Sequence, residues 1–483
     1  MAEFTFVHAA DLHLDAPFRG VSDMLLASAG GRSRASERLA RLLREGTFIA
    51  LQRLTDLCLR EQADFLLLAG DVYNSADSSL RARLALRDAF VRLEAGGVRV
   101  LLAHGNHDPL SEAASAIPWP GNVIMFGRRP EAHPVTRRGD TLALVHGVSH
   151  VGPRESKNLA KLFKRSPALA AGGEVLQIGL LHCALTDMSG AHAPYAPCAF
   201  GDLLEADMDY WALGHVHACH VLERGGGTLP GYFAEAGQET PPARPFAAYP
   251  GSVQGLHVNE TGPHGCLLLK ADGRGGLKAE AVPLAPVQWE SLRLEIPQDV
   301  SDIPALEALL LERLAGLAPR RAEAFGGNGP ESGAEPAGAG EQAEHDAPRR
   351  YPPEAVIVRL ALSGRSALDH ELRAGGAAQA LSEHLNAELE SAGLWLRDVI
   401  VDTRPLADIE ASRERPDLAG ETLRRAFSLQ NDPHALAQVA EQSLAPLFQR
   451  PKLRKLLSMP DNEELPRLAE EAALLCLDLL EGE

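Results

Sequence analysis

The sequence predicts an α/β protein, and three observations carry that expectation. Short, wholly apolar runs such as Phe65-Leu66-Leu67-Leu68-Ala69 alternate with long segments whose apolar residues recur at helical spacing. A strand that is apolar on both faces needs cover on both sides, which points to sheet flanked by helices. Asp, Asn and His gather just beyond the C-terminal ends of those runs, where open α/β sheets place their sites.

Along the chain, a first strand, Phe4–Ala9, stops before Asp11, and from Arg34 to Arg60 the residues Leu39, Leu42, Leu43, Ile49, Leu51, Leu54 and Leu57 recur at helical spacing. The strand Phe65–Ala69 ends at Gly70-Asp71. A helix over about Ser79–Ala95 leads to the strand Val98–Ala103, which ends at Gly105-Asn106. Strands Leu142–Val145, Val175–Leu181 and Tyr210–Leu213 come next, the last two running into His182 and Gly214-His215. Between Tyr249 and Leu284, β-rich runs such as Cys266–Lys270 and Leu277–Val282 alternate with Gly turns, the pattern of antiparallel strands. Residues 1–285 therefore form one expected domain. Residues 286–320 connect it onward through a helix near Ile303–Leu317, and 321–350 read as an acidic, flexible linker rich in Gly, Ala, Pro and Glu. Residues 351–405 predict a small α+β domain from Ala355–Leu362, a helix near Ala377–Ala392 and Leu394–Thr403. Residues 406–483 read as helical, punctuated by prolines.

The 483 residues carry 47 Lys and Arg against 65 Asp and Glu, a formal charge of −18. Taken whole, that argues against a polyanionic partner. Its location weakens the argument. Residues 322–348 contribute −6 and 461–483 contribute −7, leaving −5 for everything else. No apolar run approaches the ~18–20 residues of a membrane helix. Met1-Ala2-Glu3-Phe4 lacks the basic and apolar regions of a secretory signal, and the six cysteines are scattered without a C-x-x-C pair. A cytoplasmic location away from membranes is the expectation.

Five separated segments supply the chemistry: Asp11-Leu12-His13, Gly70-Asp71, Gly105-Asn106-His107-Asp108, His182 and Gly214-His215-Val216-His217. Asp, Asn and His are mixed oxygen and nitrogen donors suited to Mn, Fe or Zn. In an extended segment residues i and i+2 face one side, so Asp11 can converge with His13 and His215 with His217. Gly before Asp71, Asn106 and His215 permits a sharp turn or close backbone approach. Each segment alone is ordinary as a turn, a helix cap or a half-buried strand. All five in this order, each after an apolar strand, point to a dinuclear metal site.

The set resembles the calcineurin-like metallophosphoesterases, whose motifs run D-x-H, G-D, G-N-H-D, H and G-H-x-H, and the resemblance covers roughly residues 1–285. It implies a β-sandwich flanked by helices in α-β-β-α layers, with a small α+β cap-like domain and a helical C-terminus. By the same resemblance Asp11, His13, Asp71 and His217 hold one divalent ion and Asp71, Asn106, His182 and His215 the other, with Asp71 bridging. Mn2+ is the expected metal, with Fe or Zn as alternatives. The opening Val7–Leu14 looks like the SbcD-type DNA repair nucleases. The segments Asp11–Phe18, Tyr249–Gly255 and Asn259–Gly262 look closer to the bacterial YhaO-like branch. The resemblance thus implies a phosphodiester hydrolase, a DNA exonuclease or endonuclease in repair, in which two ions activate a water for in-line attack. His107 is expected not to be a ligand but to stabilise developing charge or protonate the leaving oxygen, with Asp108 orienting its ring. The resemblance further implies DNA as substrate, an SMC-like ATPase subunit docked through the C-terminal helices, and a homodimer.

Two other readings stay open: a small phosphodiester or phosphomonoester as substrate of the same centre, or a low-activity regulatory subunit of an ATPase complex. His8, His104, His146, His150, His192, His220 and His257 read as core or surface histidines. Cys183 and Cys219 read as small buried residues. Lys157, Lys161 and Lys164 have the spacing of one helical face, either solvated or tracking phosphates. The amphipathic run Arg450–Leu457 is a weaker candidate contact.

Overall fold

The computed structural model describes residues 2–21, 33–74, 79–112, 117–167, 175–188, 195–230, 245–319, 351–406, 409–449, 460–461 and 464–481. The expected linker at 321–350, His192 and the run Arg450–Leu457 lie outside these residues. The chain divides into two compact units. One comprises Met1–Leu292, Arg313–Arg359 and Ser382–Asp398, the other Arg293–Glu312, Leu360–Leu381 and Val399–Glu483.

In chain order the strands are β1 (Glu3–Ala9), β2 (Phe65–Ala69), β3 (Arg99–Ala103), β4 (Val123–Met125), β5 (Glu131–Arg137), β6 (Asp140–Gly147), β7 (Leu176–His182) and β8 (Tyr210–Gly214). They continue with β9 (His220–Leu222), β10 (Thr228–Pro230), β11 (Ala247–Tyr249), β12 (Gly265–Asp272), β13 (Leu277–Pro283), β14 (Val287–Glu295), β15 (Ala355–Ser366) and β16 (Leu394–Pro405). In the first sheet, of order β13-β12-β1-β2-β3-β4, the strands β1 to β4 are parallel and β12 and β13 continue antiparallel beside β1. The second has the order β10-β9-β11-β8-β7-β6-β5, with β6, β7, β8 and β11 parallel. Strands β14, β15 and β16 form a third sheet in that order.

Alternation at period two sorts the apolar residues into layers. Phe6, Phe65, Leu67 and Leu101 of the first sheet pack with Val145, Ile178, Leu180 and Tyr210 of the second, all buried between the sheets. Their neighbours Val7, Leu66, Leu68, Val100 and Leu102 face outward. They lie under helices α1 (Arg34–Arg60) and α2 (Leu80–Ala95), which contribute Leu54, Leu57, Leu86, Phe90 and Leu93. Each helix is opened by a serine cap, Ser33 accepting from Ser36 N–H and Ser79 from Ala82 N–H. On the far face of the second sheet Leu181, Trp211, Leu213 and Tyr249 pack with Leu159, Phe163 and Leu203, the last on the short helix α3 (Phe200–Glu205). This is the expected α-β-β-α layering. Each fully buried Leu or Phe contributes roughly 1.5–3 kcal/mol.

One local expectation changes, and one strand was not anticipated. The basic segment around Lys157–Lys164 forms only a 3-10 turn at Ala160–Leu162, so Lys157, Lys161 and Lys164 do not share a helical face. Lys161 and Arg165 instead pair with Asp202 and Asp209. Strand β5, Glu-Ala-His-Pro-Val-Thr-Arg, lacked any apolar signal because it is the edge of its sheet. Only Val135 is buried there, and an edge tolerates Pro134.

His8 lies fully buried on β1, with Nδ1 2.9 Å from the Tyr210 hydroxyl and Nε2 3.1 Å from the Leu213 carbonyl. Burial pushes its pKa down to about 3. A histidine whose folded pKa lies below its unfolded value of about 6.5 takes up a proton only on unfolding. Its contribution is therefore neutral above pH 6.5 and destabilises by roughly 1 kcal/mol per pH unit as the pH falls from 6.5 towards 3. His8→Gln is expected to flatten the acid limb of a Tm-against-pH curve. Parallel curves for the two proteins would refute this role.

In the second unit, helices α4 (Ile303–Ala315, up to Glu312), α5 (Asp369–Leu372) and α6 (Ala377–Leu389, up to Leu381) precede the helical C-terminus. That terminus consists of α7 (Ile409–Glu414), α8 (Leu418–Gln430), α9 (Pro433–Phe448) and α10 (Glu464–Glu481). Ala419 and Leu423 of α8 pack on Ala473 and Leu477 of α10. Arg365 donates to both carboxylate oxygens of Asp478, at 2.9 and 3.0 Å. Among the described residues no helix is long and apolar enough to cross a membrane.

Candidate metal centre

Parallel strands place their C-terminal ends at one edge, so the loops after β1, β2 and β3 meet there, as do those after β7 and β8. The loops are tied to one another by backbone bonds: Asp11 N–H to Gly70 O at 3.0 Å, His13 N–H to Asp71 O at 3.1 Å. The Asp108 carboxylate accepts from the backbone N–H groups of Asp71, Val72 and Gly105 at 3.2, 3.1 and 2.7 Å. Asp11 Oδ2 accepts from His215 N–H at 3.0 Å, and His182 Nδ1 lies 2.9 Å from Ala69 O, so both contacts link one sheet to the other.

These ties hold the backbone in unusual conformations. Asp11, His13, Asp71 and His215 have φ of 51, 41, 52 and 106°. Left-handed backbone at a non-glycine residue costs about 1–3 kcal/mol and persists where the surroundings over-determine it. Gly70 also has positive φ, 88°, and a Cβ there would stand 2.5 Å from His182 Nδ1. Glycine at that position is a packing requirement between the sheets.

The side chains then converge. One group comprises Asp11, His13 and His217, another Asp11, Asp71 and His182, each with ligand atoms within 4.8 Å of one another. His13 Nε2 and His217 Nε2 are 3.2 Å apart, and His182 Nε2 lies 3.3 Å from Asp71 Oδ2 and 3.0 Å from Asn106 Oδ1. The His215 ring centroid is 5.3 Å from that of His182. Asp11 belongs to both groups. In the resemblance it was Asp71 that did so; here Asp71 Oδ1 accepts the His107 backbone N–H at 2.8 Å.

The electrostatics suit a cation. Asp11 and Asp71 are both buried, and Asp11 Oδ1 is a buried oxygen with no hydrogen-bond partner. An unpaired carboxylate oxygen inside a protein is costly unless a positive charge meets it. Burial raises the Asp11 pKa. Burial also opposes ionisation of Asp71, but the neighbouring His182 outweighs it and holds that carboxyl well below the usual range. His182 and His217 are pulled down by burial, yet Asp71 beside the first, and Glu260 with Asp11 beside the second, hold both at about 9. In the metal-free protein protonated imidazoles thus balance the carboxylates, and the mixed donor set with the orphaned oxygen fits divalent metal.

His107 stands exposed at the mouth, its ring 5.0 Å from that of His13. Asp108 is buried, with its hydrogen bonds directed to loop backbone. Sequence reading missed two partners. Asn74 Oδ1 lies 2.8 Å from His13 Nδ1, and Glu260 Oε1 lies 2.8 Å from His217 Nδ1. They are 61 and 43 residues from those histidines, beyond any local spacing signal. Of the other histidines, His150 supports the site from behind, its Nε2 2.7 Å from the His182 carbonyl.

A family model for calcineurin-like phosphoesterases matches residues 4–219. The uncharacterized metallophosphoesterase YhaO of Bacillus subtilis (strain 168) is 34% identical over 299 residues, 62% of this chain and 64% of that protein. The DNA double-strand break repair protein Mre11 of Sulfurisphaera tokodaii is 23% identical over 192 residues, 38% of this chain and 46% of that one. The chain thus spans less than two thirds of the length of either relative. Among solved structures, a dimetal phosphatase from Danio rerio is 11% identical, covering 58% of this chain and 98% of its own, with a TM-score of 0.31. Over residues 4–219 the chain is thus similar to the calcineurin-like phosphoesterases.

Proposed function

We propose that this protein is a Mn2+-dependent phosphodiesterase acting on DNA, a nuclease of the repair type. The observation that carries the metal centre is Asp11 Oδ1, buried without a hydrogen-bond partner and 3.9 Å from His217 Nε2, on a carboxylate that groups with His13 and His217 and with Asp71 and His182. When bound, two divalent cations withdraw charge from a phosphodiester and make a water acidic enough to attack near neutral pH. Asp11, His13, Asp71 and His217 would hold one ion, and Asp71, Asn106, His182 and His215 the other. His107 delivers a proton to the leaving oxygen from the exposed mouth of the site. Asp108 is a positioning residue, because three backbone N–H groups of the ligand-bearing loops close on its carboxylate.

Two things support DNA as the substrate. Most of the −18 formal charge belongs to residues 322–348 and 461–483, far in sequence from the ligand segments. The Mre11 relative is named for double-strand break repair. Apolar side chains left exposed on α8 and α10, Leu418, Leu475 and Leu479, support an ATPase subunit as partner of this segment.

The test is incubation with Mn2+ and end-labelled linear duplex or single-stranded DNA, with bis(p-nitrophenyl) phosphate in parallel. Metal-dependent release of label is the expected result. Turnover of the small ester alone makes the substrate a small molecule. Inactivity on both, with and without an ATPase partner, overturns the enzymatic reading.

A further inference from the structure

His217 is held from behind by a segment that belongs to none of the five motifs. After β11 the chain turns at Gly251, and Ser252 N–H donates to the His217 carbonyl at 3.1 Å. The next loop brings Glu260 against the ring, with Oε1 2.8 Å from Nδ1. The second oxygen, Oε2, accepts from Leu256 N–H at 2.6 Å and from His257 N–H at 3.3 Å. Behind it, His264 Nε2 lies 3.2 Å from the Glu260 carbonyl, while His264 Nδ1 is 2.9 Å from Ser252 Oγ. The carboxylate is therefore fixed at both oxygens.

We infer that Glu260 is a positioning residue that sets the tautomer of His217, keeping the proton on Nδ1 and the lone pair on Nε2, the nitrogen that faces Asp11 and His13. This role rests on the metal centre proposed for the same site. A carboxylate can only accept, so the nitrogen beside it must carry the hydrogen. A neutral imidazole has one donor and one acceptor, and the hydrogen bond at one nitrogen decides the state of the other. His13 is held in the same sense if Asn74 presents its carbonyl oxygen, as placed, and His182 by the Ala69 carbonyl. Glu260 alone among these three supports brings a full negative charge.

The geometry yields an inverted order of substitutions. In Glu260→Gln the two backbone N–H groups of Leu256 and His257 still demand an acceptor where Oε2 was, so the amide oxygen turns towards them. The NH2 then faces His217 Nδ1 and donates to it, driving the ring proton to Nε2, where it blocks a metal. Glu260→Ala removes the acceptor and leaves the ring free to take either tautomer. The nearly isosteric variant should therefore bind metal worse than the truncated one.

The experiment is Mn2+ titration of the purified full chain, native, Glu260→Ala, Glu260→Gln and Glu260→Asp, read by electron paramagnetic resonance, with Tm of the metal-free proteins as the folding control. Native protein should take up two ions. Outer partners of metal-binding histidines are worth about 10–100-fold in affinity. Accordingly, one of the two ions should bind about tenfold more weakly in Glu260→Ala and about a hundredfold more weakly in Glu260→Gln, with the other ion little changed. Glu260→Asp should recover part of the loss. Native-like affinity in Glu260→Gln, or a larger loss in Glu260→Ala than in Glu260→Gln with both proteins folded, overturns the inference. Failure of the native chain to bind two ions overturns the metal-centre reading instead.

Discussion

Asp11→Asn is expected to lose the ion held by Asp11, His13, Asp71 and His217 and to lower phosphodiester hydrolysis by more than the roughly 100-fold that an outer ligand partner is worth. The reason lies in the two oxygens of this side chain. Oδ2 accepts the His215 N–H at 3.0 Å, so an asparagine must place its carbonyl oxygen there. Its NH2 then occupies the position of Oδ1, the buried oxygen without a partner, where it presents hydrogens to an incoming cation. Asp11 also lies within 4.8 Å of the Asp71 and His182 ligand atoms, so the loss of its charge weakens the second ion as well. The metal-free variant should be at least as stable as the metal-free native protein, because it removes a carboxylate whose ionisation burial opposes. Added Mn2+ should raise the Tm of the native protein only, since a ligand stabilises the state that binds it. A variant that retains two ions, or one destabilised without metal, would count against this account.

The same centre predicts a pH dependence for metal uptake. His182 and His217 stand at about 9 in the metal-free protein, and a histidine must shed its proton to ligate. Mn2+ binding at pH 7 should therefore release protons, and the apparent affinity should climb from pH 7 to 9.

His107→Ala should lower kcat on DNA by about 10²–10⁴-fold, the usual worth of a general acid, while leaving metal content unchanged. Metal content survives because the contact from His107 to Asp71, a proposed ligand, is made by its backbone N–H, which alanine keeps. Losing an acid should cost less on bis(p-nitrophenyl) phosphate, whose leaving group needs no proton. A tenfold or smaller change on DNA, or an equal loss on both substrates, would assign the ring another task.

Much of the fold was legible because burial on both faces writes itself into composition. Phe65–Ala69 and Tyr210–Leu213 are apolar throughout because each is sandwiched between two packed layers. The edge strand Glu131–Arg137 was invisible for the converse reason, since almost nothing in it is buried. The Lys157–Lys164 stretch forms only a single 3-10 turn although Leu159, Ala160 and Phe163 are buried; pairing of Lys161 with Asp202 and of Arg165 with Asp209 anchors it.

For the site, the order and placement of Asp11, His13, Asp71, Asn106, His107, His182, His215 and His217 were determined by the sequence, because each comes after a strand whose hydrophobicity marks its end. Tertiary structure alone decided what surrounds them: the left-handed backbone at four of these residues, the unpartnered Asp11 Oδ1, and the approach of Asn74 and Glu260 to the far nitrogens of two histidines. Which residue types stand at the strand ends is a local property carried by residue type and strand register. Orientation and charge state depend on groups that meet only when separate strand ends are brought to one edge, and no spacing along the chain encodes that meeting.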